Sequence, residues 1–394
     1  MEDPIVIVAA KRTPMGGLAG ELSPLTASQL GAISTRAALE EAGVDKDDVD
    51  EVLFGNVLGA GQGQAPARQV ALGAGLPNKT AATTLNKMCG SGMKAVMFGH
   101  DMLSMGSANM VVAGGIESMS NAPYLLPRVR DGLRMGHSEV KDHMFFDGLE
   151  DFYEKGTLMG VFAERTATKY QFTREDQDAY AIESLNRALK AEADGNFEDE
   201  IVAAEVKTRK QSLTVSRDEQ PAKAKPEKIP TLKPAFAKDG TVTAANASSI
   251  SDGAATLILT RLSVAEEKGL TPLAKINGHA THAMAPEDFP VAPIGAIDKL
   301  FEKTNTEKSD YGLFEINEAF AVVTMAAMKS LDLPHDMVNV HGGACALGHP
   351  VGASGARILV TLYHAMKTHS VNKGMAAICL AGGEATAMAL EMME

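Results

Sequence analysis

Tryptophan is absent from the 394 residues, aromatic residues amount to 5%, and cysteine occurs three times. Three cysteines without a CxxC pair exclude a disulfide framework and a cysteine-ligated zinc fold, and they point to a reducing compartment. Basic residues are scarce too: 37 Lys+Arg stand against 50 Asp+Glu, a net charge of −13. Nucleic acid is thereby disfavoured as a partner, because it calls for a basic face; an anionic ligand would need a local basic patch. No apolar run approaches a membrane span. The start, "MEDPIVIVAAKRTP", is acidic and its apolar run is too short for a secretory signal. The end, "LEMME", carries no peroxisomal or retention signal. The expectation is a soluble cytoplasmic protein.

What remains is 45% hydrophobic, with 37 glycines and 21 methionines. Such a chain is globular and long enough for two or three domains. Methionine reads mainly as flexible core filler. Short apolar runs alternate with helical patterns. "PIVIVAA" (4–10), "EVLFGNVL" (51–58) and "NMVVAGG" (109–115) read as strands. Residues 26–43 read as a helix capped by Thr26 or Ser28 and closed by Gly43, and residues 90–107 as a second helix. The alternation predicts an α/β protein with parallel sheets covered by helices.

From Ile116 to about Ala244 the texture changes to methionine-rich, charged, then proline-rich sequence. Thr173 with Asp176 marks a capping box inside it. The strand pattern resumes at "AATLILT" (254–260), so the stretch reads as an insertion. The chain also repeats itself loosely. Residues 89–117 are echoed at 352–384: Gly90-Ser91-Gly92 aligns with Ala353-Ser354-Gly355, and Ala113-Gly114-Gly115 with Ala381-Gly382-Gly383. Two related α/β halves follow from this. The boundaries read as 1–118 with 245–270, an inserted loop domain at 119–244, and 271–394.

Cys89 lies in "NKMCGSGMKA", at or just before a helix start, where unpaired N–H groups and the helix dipole favour a thiolate. Its neighbouring glycines read as room for a substrate. Taken alone, Cys89 could equally be a buried packing residue. A thiol nucleophile needs a base. His349, in "HGGACALGHPVGASG", precedes the second small-residue helix, the repeat-related counterpart of the Cys89 region. His341 stands in the same segment as a decoy. His100, His279 and His282 sit in ordinary company and read as structural or solvated. Cys379, in "AAICLAGG", is either a core cysteine or a second thiol at the same cleft. Asn317 and Glu318 stand at a strand exit, where open α/β sheets place ligand groups, although Asn317 alone could be a helix cap.

In order and spacing, "NKMCGSGMKA", "NEAFA", "GHPVGASGAR" and "CLAGG" resemble the four catalytic blocks of the thiolase family, most closely its short-chain, acetoacetyl-CoA branch. The resemblance runs from "VIVAAKRTPMG" to the last strand. It implies a layered αβαβα core with an inserted loop domain that binds CoA. It implies an acyltransferase that condenses two acetyl-CoA reversibly to acetoacetyl-CoA and CoA, in ping-pong fashion through acyl-Cys89. In that scheme His349 activates Cys89, and with a water held by Asn317 it stabilises an enolate. Cys379 moves the α-proton, and the N–H groups of Cys89 and Ala381 form an oxyanion hole. Ser248, Leu149, Met159, Phe236, Ala319 and Phe320 would line the pantetheine tunnel. Lys207, Arg209, Lys210, Lys223, Lys225 and Lys228 would offer a basic patch for CoA phosphates. The resemblance implies no cofactor and no metal, with CoA thioesters as substrates and a homodimer or homotetramer as the assembly.

The chain departs from the pattern in places. Leu158 stands where short-chain relatives carry histidine, Ala381 where glycine is usual, and His341 where asparagine is common. No basic residue near Pro221 matches the one often placed against adenine. The alternatives are a longer-chain 3-ketoacyl-CoA thiolase and a non-catalytic acyl-CoA carrier. A ketosynthase would carry a second catalytic histidine in place of Asn317 and Cys379, and a carrier would have lost Cys89 or His349.

Overall fold

The computed structural model describes residues 3–208 and 212–393. In its first half, strands Ala81–Leu85, Glu51–Gly55, Met110–Ser118, Ser251–Arg261 and Ile5–Arg12 lie side by side in that order. In its second half the order is Ala274–Ala283, Glu384–Met392, Lys373–Leu380 and Leu313–Ile316. Two residue pairs, Val6 with Lys275 and Ile7 with Ala274, join the halves edge to edge. The strand that returns after residues 119–244 lies between Ile5–Arg12 and Met110–Ser118, so the intervening segment leaves the sheet and comes back.

The expectation of parallel sheets needs correction. Only Glu51–Gly55 with its two neighbours, and Leu313–Ile316 with Lys373–Leu380, pair in parallel. The rest are antiparallel. Lys373–Leu380 and Glu384–Met392 are joined by three residues, and a connection that short cannot make the crossover a parallel pair requires. Gly382 and Gly383 take φ of +91° and +80° in that turn.

Successive side chains of a strand point to opposite faces, and here both faces are covered. Val111 and Leu259 face a cluster shared with Met93, Val96 and Met97 of the helix Ser91–Ser104 and Ile358, Leu359 and Leu362 of the helix Val351–Thr368. Ala376, Ile378 and Leu390 of the second half close that cluster from the other side. The adjacent residues Val112 and Ile258 face outward, against Leu30 and Leu39 of the helix Ala27–Ala42. Met375, Ala377 and Ala387 likewise meet Ile297 and Leu300 of the helix Ala292–Thr304. The result is helix, sheet, paired helices, sheet, helix. All nine residues of Met110–Ser118 are buried as a consequence.

The two central helices approach so closely that glycine is obligatory. A Cβ on Gly92 would lie 2.8 Å from Ala356 N, and one on Gly355 would lie 2.6 Å from Met93 N. A Cβ on Gly90 would lie 2.5 Å from Leu380 Cδ2. The glycines beside Cys89 therefore make room for protein packing, and not for a substrate as the sequence pattern suggests.

The capping signals form as read. Thr26 accepts from Gln29 N–H and its own N–H is met by the Gln29 side chain, while Thr173 and Asp176 make the same reciprocal pair. Residues 119–244 carry the helices Met159–Tyr170 and Arg174–Ala193 and a hairpin of Ala204–Lys207 with Ser212–Val215. Among the described residues no helix is long and apolar enough to cross a membrane.

Candidate active site

Cys89 is held by a pinned loop. Met88 takes φ +47°, strained for a residue with a side chain. Its N–H donates to Asn86 Oδ1 at 2.8 Å, and Ser91 Oγ accepts from Lys87 N–H at 2.8 Å while donating to Met88 O at 2.6 Å. Lys87 also pairs with Glu384 of the second half. The helix begins at Ser91, so Cys89 sits one residue before its N-cap, Gly90.

The thiolate expected from that position does not form in the resting state. Burial pushes the Cys89 thiol up to about 11, and it outweighs the N–H groups of Ala381 and Cys89 that donate to the sulfur. Those are the two donors expected to bind a tetrahedral oxyanion. Ala381 does not take a left-handed φ, so alanine replaces the usual glycine without strain.

His349 enters through a glycine hinge. Gly348 has φ +105°, and the His349 N–H is shared between Ser249 O at 3.1 Å and Ser251 Oγ at 3.2 Å. The ring Nδ1 lies 2.5 Å from Ser354 Oγ, whose hydroxyl donates to Pro350 O at 3.0 Å. With that hydroxyl proton already committed, Nδ1 must carry the ring proton, which leaves the Nε2 lone pair free. Nε2 is buried and has no protein partner. Burial and the Arg357 charge push the ring down to about 3, so it is neutral and able to accept a proton. A Cβ on Gly348 would lie 2.2 Å from Ser251 Oγ. Gly348→Ala is therefore expected to displace the His349 anchor and lower kcat by roughly 10²-fold with little change in KM. Steady-state kinetics check this; an unchanged kcat would contradict it.

Cys379 ends the strand Lys373–Leu380, fully buried. Burial raises its thiol well above the ordinary range, and charge on Cys89 would raise it further. Asn317 is also buried. Its Oδ1 faces Arg357 Nη2 at 3.4 Å, and its Nδ2 has no protein partner. Cys379 and Asn317 lie behind the cavity wall.

That cavity, about 370 Å³, is lined by Cys89, His349 and Ala381. All six residues expected of a pantetheine tunnel, Ser248, Leu149, Met159, Phe236, Ala319 and Phe320, line it as well. Phe236 and Phe320 meet edge to face at 5.9 Å. The Phe236 ring occupies the space a side chain on Gly160 would need, at 2.3 Å. Ser248 Oγ donates to Ala319 O at 2.9 Å and keeps its lone pairs for an incoming donor. Leu158 is part of the wall. Of the basic run, Lys223, Lys225 and Lys228 line an adjoining hollow that shares Ala244 and Ser249 with the cavity. Lys207 is exposed on the hairpin, and Arg209 and Lys210 fall outside the described residues. His341 is not at the site; it stacks near His369, with the two Nε2 atoms 3.2 Å apart.

Two buried acids hold the site together: Glu117, which no motif singles out, and Glu318, the acid at the strand exit. Glu117 is fully buried and accepts from Val57 N–H at 3.0 Å, Leu58 N–H at 3.2 Å, Gly352 N–H at 2.9 Å and Asn56 Nδ2 at 2.8 Å. It ties the first half to the start of the helix that follows His349, and burial pushes its carboxyl up to about 7. Glu318 accepts from Tyr180, Ser184, Asn339 and the Cys345 N–H at 2.8–3.0 Å, which fixes the segment beside Asn317.

A half-buried thiol and a neutral imidazole at the end of an apolar tunnel, with a second, buried thiol close to Ala381 in sequence, define a cysteine-dependent acyltransferase on a duplicated α/β core. The chain belongs to the thiolase family. Its N-terminal domain model matches residues 5–263 and its C-terminal domain model residues 270–392. A Dictyostelium discoideum protein named probable acetyl-CoA acetyltransferase is 49% identical, covering 99% of this chain and 94% of its own. An acetyl-CoA acetyltransferase of Cupriavidus necator is 45% identical, covering 98% and 99%. An Ascaris suum thiolase solved in complex with coenzyme A superposes with a TM-score of 0.94 at 42% identity, covering 99% of this chain and all of its own.

Proposed function

We propose that this thiolase is an acetyl-CoA C-acetyltransferase, joining two acetyl-CoA into acetoacetyl-CoA and CoA and running the reverse thiolysis. The observation that carries the mechanism is the free Nε2 lone pair of His349 lining the same cavity as Cys89. The two wild-type partners start neutral. The Cys89 sulfur attacks the thioester carbonyl as its proton passes to His349, and the N–H groups of Cys89 and Ala381 turn from the sulfur to the developing oxyanion. CoA leaves with a proton returned through Cys379, and acetyl-Cys89 remains.

Having given its proton to CoA, Cys379 is left as a thiolate. It then takes the α-proton of the second acetyl-CoA, whose enolate oxygen is held by His349 and a water on Asn317 Nδ2. The carbanion attacks acetyl-Cys89 and expels the Cys89 sulfur, which recovers its proton. No metal or cofactor enters these steps.

Ser248 and the apolar wall would hold the pantetheine arm, and Lys223, Lys225 and Lys228 the phosphates. The coenzyme A complex of the Ascaris relative and the names of the Dictyostelium and Cupriavidus relatives support the substrate class. A homo-oligomer fits the half-exposed strand Ala81–Leu85 at the end of the sheet, an edge that a second copy could cover. Thiolysis of 3-oxoacyl-CoAs of increasing chain length tests the specificity. The highest kcat/KM is expected with acetoacetyl-CoA. A flat or rising profile would favour the longer-chain 3-ketoacyl-CoA reading, for which the apolar Leu158 in the wall is the supporting observation.

A further inference from the structure

Away from the cavity, the helix Ser91–Ser104 of the first half meets the strand Ala274–Ala283 of the second, and three metal-ligating side chains converge there. His279 Nε2 lies 2.9 Å and His100 Nδ1 3.2 Å from the same oxygen, Asp101 Oδ1. All three ligand atoms fall within 4.8 Å of one another. A four-coordinate zinc with bonds of about 2.0–2.1 Å sets its ligands roughly 3.3 Å apart. Two of the three edges already have that span, and the rings meet edge to face at 86° with centroids 5.0 Å apart.

We propose that His100, Asp101 and His279 form a binding site for a borderline divalent transition-metal ion such as Zn²⁺, separate from the catalytic cavity. Two imidazoles and one carboxylate suit zinc and its neighbours, whereas magnesium and calcium demand oxygen ligands. The His279 side chain is only 10% exposed, and its Nε2 faces the shared carboxylate oxygen of Asp101. On binding, the ion takes the Nε2 lone pair and the ring proton moves to Nδ1. Asp101 is 52% exposed, which leaves an open side where water completes the coordination. Lys303 Nζ, donating to His279 O at 3.1 Å, places a positive charge nearby and moderates the affinity. The bound ion would pin the helix behind Cys89 to the second half and stabilise the folded chain.

The test is calorimetric titration of the full-length, metal-free protein with ZnCl₂, its cysteines first alkylated so that no thiol can ligate. One saturable zinc per chain and a rise in melting temperature are expected, with no effect of MgCl₂. His279→Ala and Asp101→Asn should weaken binding at least about tenfold and erase the melting shift. Unalkylated, both should retain thiolysis. His100→Ala, at a helix position whose side chain reaches solvent, gives the same reading if His279→Ala fails to fold. Absence of saturable binding, or equal affinity in the variants, overturns the site.

Discussion

Cys89→Ala is expected to abolish covalent acylation by acetyl-CoA and to lower thiolysis by roughly five to six orders of magnitude. Among the described residues no other side chain combines the same features. Its sulfur lines the cavity, accepts two N–H groups, and shares that cavity with the free His349 lone pair. The other two cysteines cannot substitute. Cys379 lies behind the wall, and Cys345 is occupied with Glu318, its sulfur 3.8 Å from the carbonyl. The substitution removes one sulfur from a half-buried position, so melting should change little. A variant that melts normally and still acquires label from acetyl-CoA would disprove the nucleophile assignment.

Cys379→Ser is expected to separate the two half-reactions. Serine is far less acidic than a thiol and cannot serve as the base, so condensation should fall by about 10²–10⁴-fold. Acylation of Cys89 is driven by His349, and a serine hydroxyl can still pass a proton to the leaving CoA, so acylation should persist, visible as a stable acetyl adduct. Because the site is fully buried, the near-isosteric serine is preferred to alanine. Rapid-quench acylation measured beside steady-state condensation checks the separation. Loss of both together would assign Cys379 to the first half-reaction, and loss of neither would remove it from the mechanism.

The duplicated core was legible in the residues, and three of the five residues named as catalytic, Cys89, His349 and Ala381, line one cavity. Short motifs in fixed order constrain chemistry, and the Gly90-Ser91-Gly92 and Ala353-Ser354-Gly355 echo pointed to two halves. Other properties are set by what packs where, and no motif records that. The helix start at Ser91 argues for a thiolate at Cys89, yet burial opposes charge more strongly than the two N–H groups favour it. The glycines beside Cys89 suggest open space until the facing helix is seen in contact with them. Strand direction was misread because the three-residue turn at 381–383 looks like any glycine-rich link. No motif marks Glu117, and only the converging loops show it as a buried knot of four hydrogen bonds. Arg357 and Asp101 were silent for the same reason: their partners come from distant sequence.

Acetyl transfer through Cys89 is the centre of this account, and mass spectrometry of the wild-type chain after brief exposure to acetyl-CoA tests it most directly. The expected result is one acetyl group per chain, mapped to the peptide containing Cys89 and discharged by adding CoA. An unmodified chain that still turns over, or an acetyl group on any other residue, would contradict it.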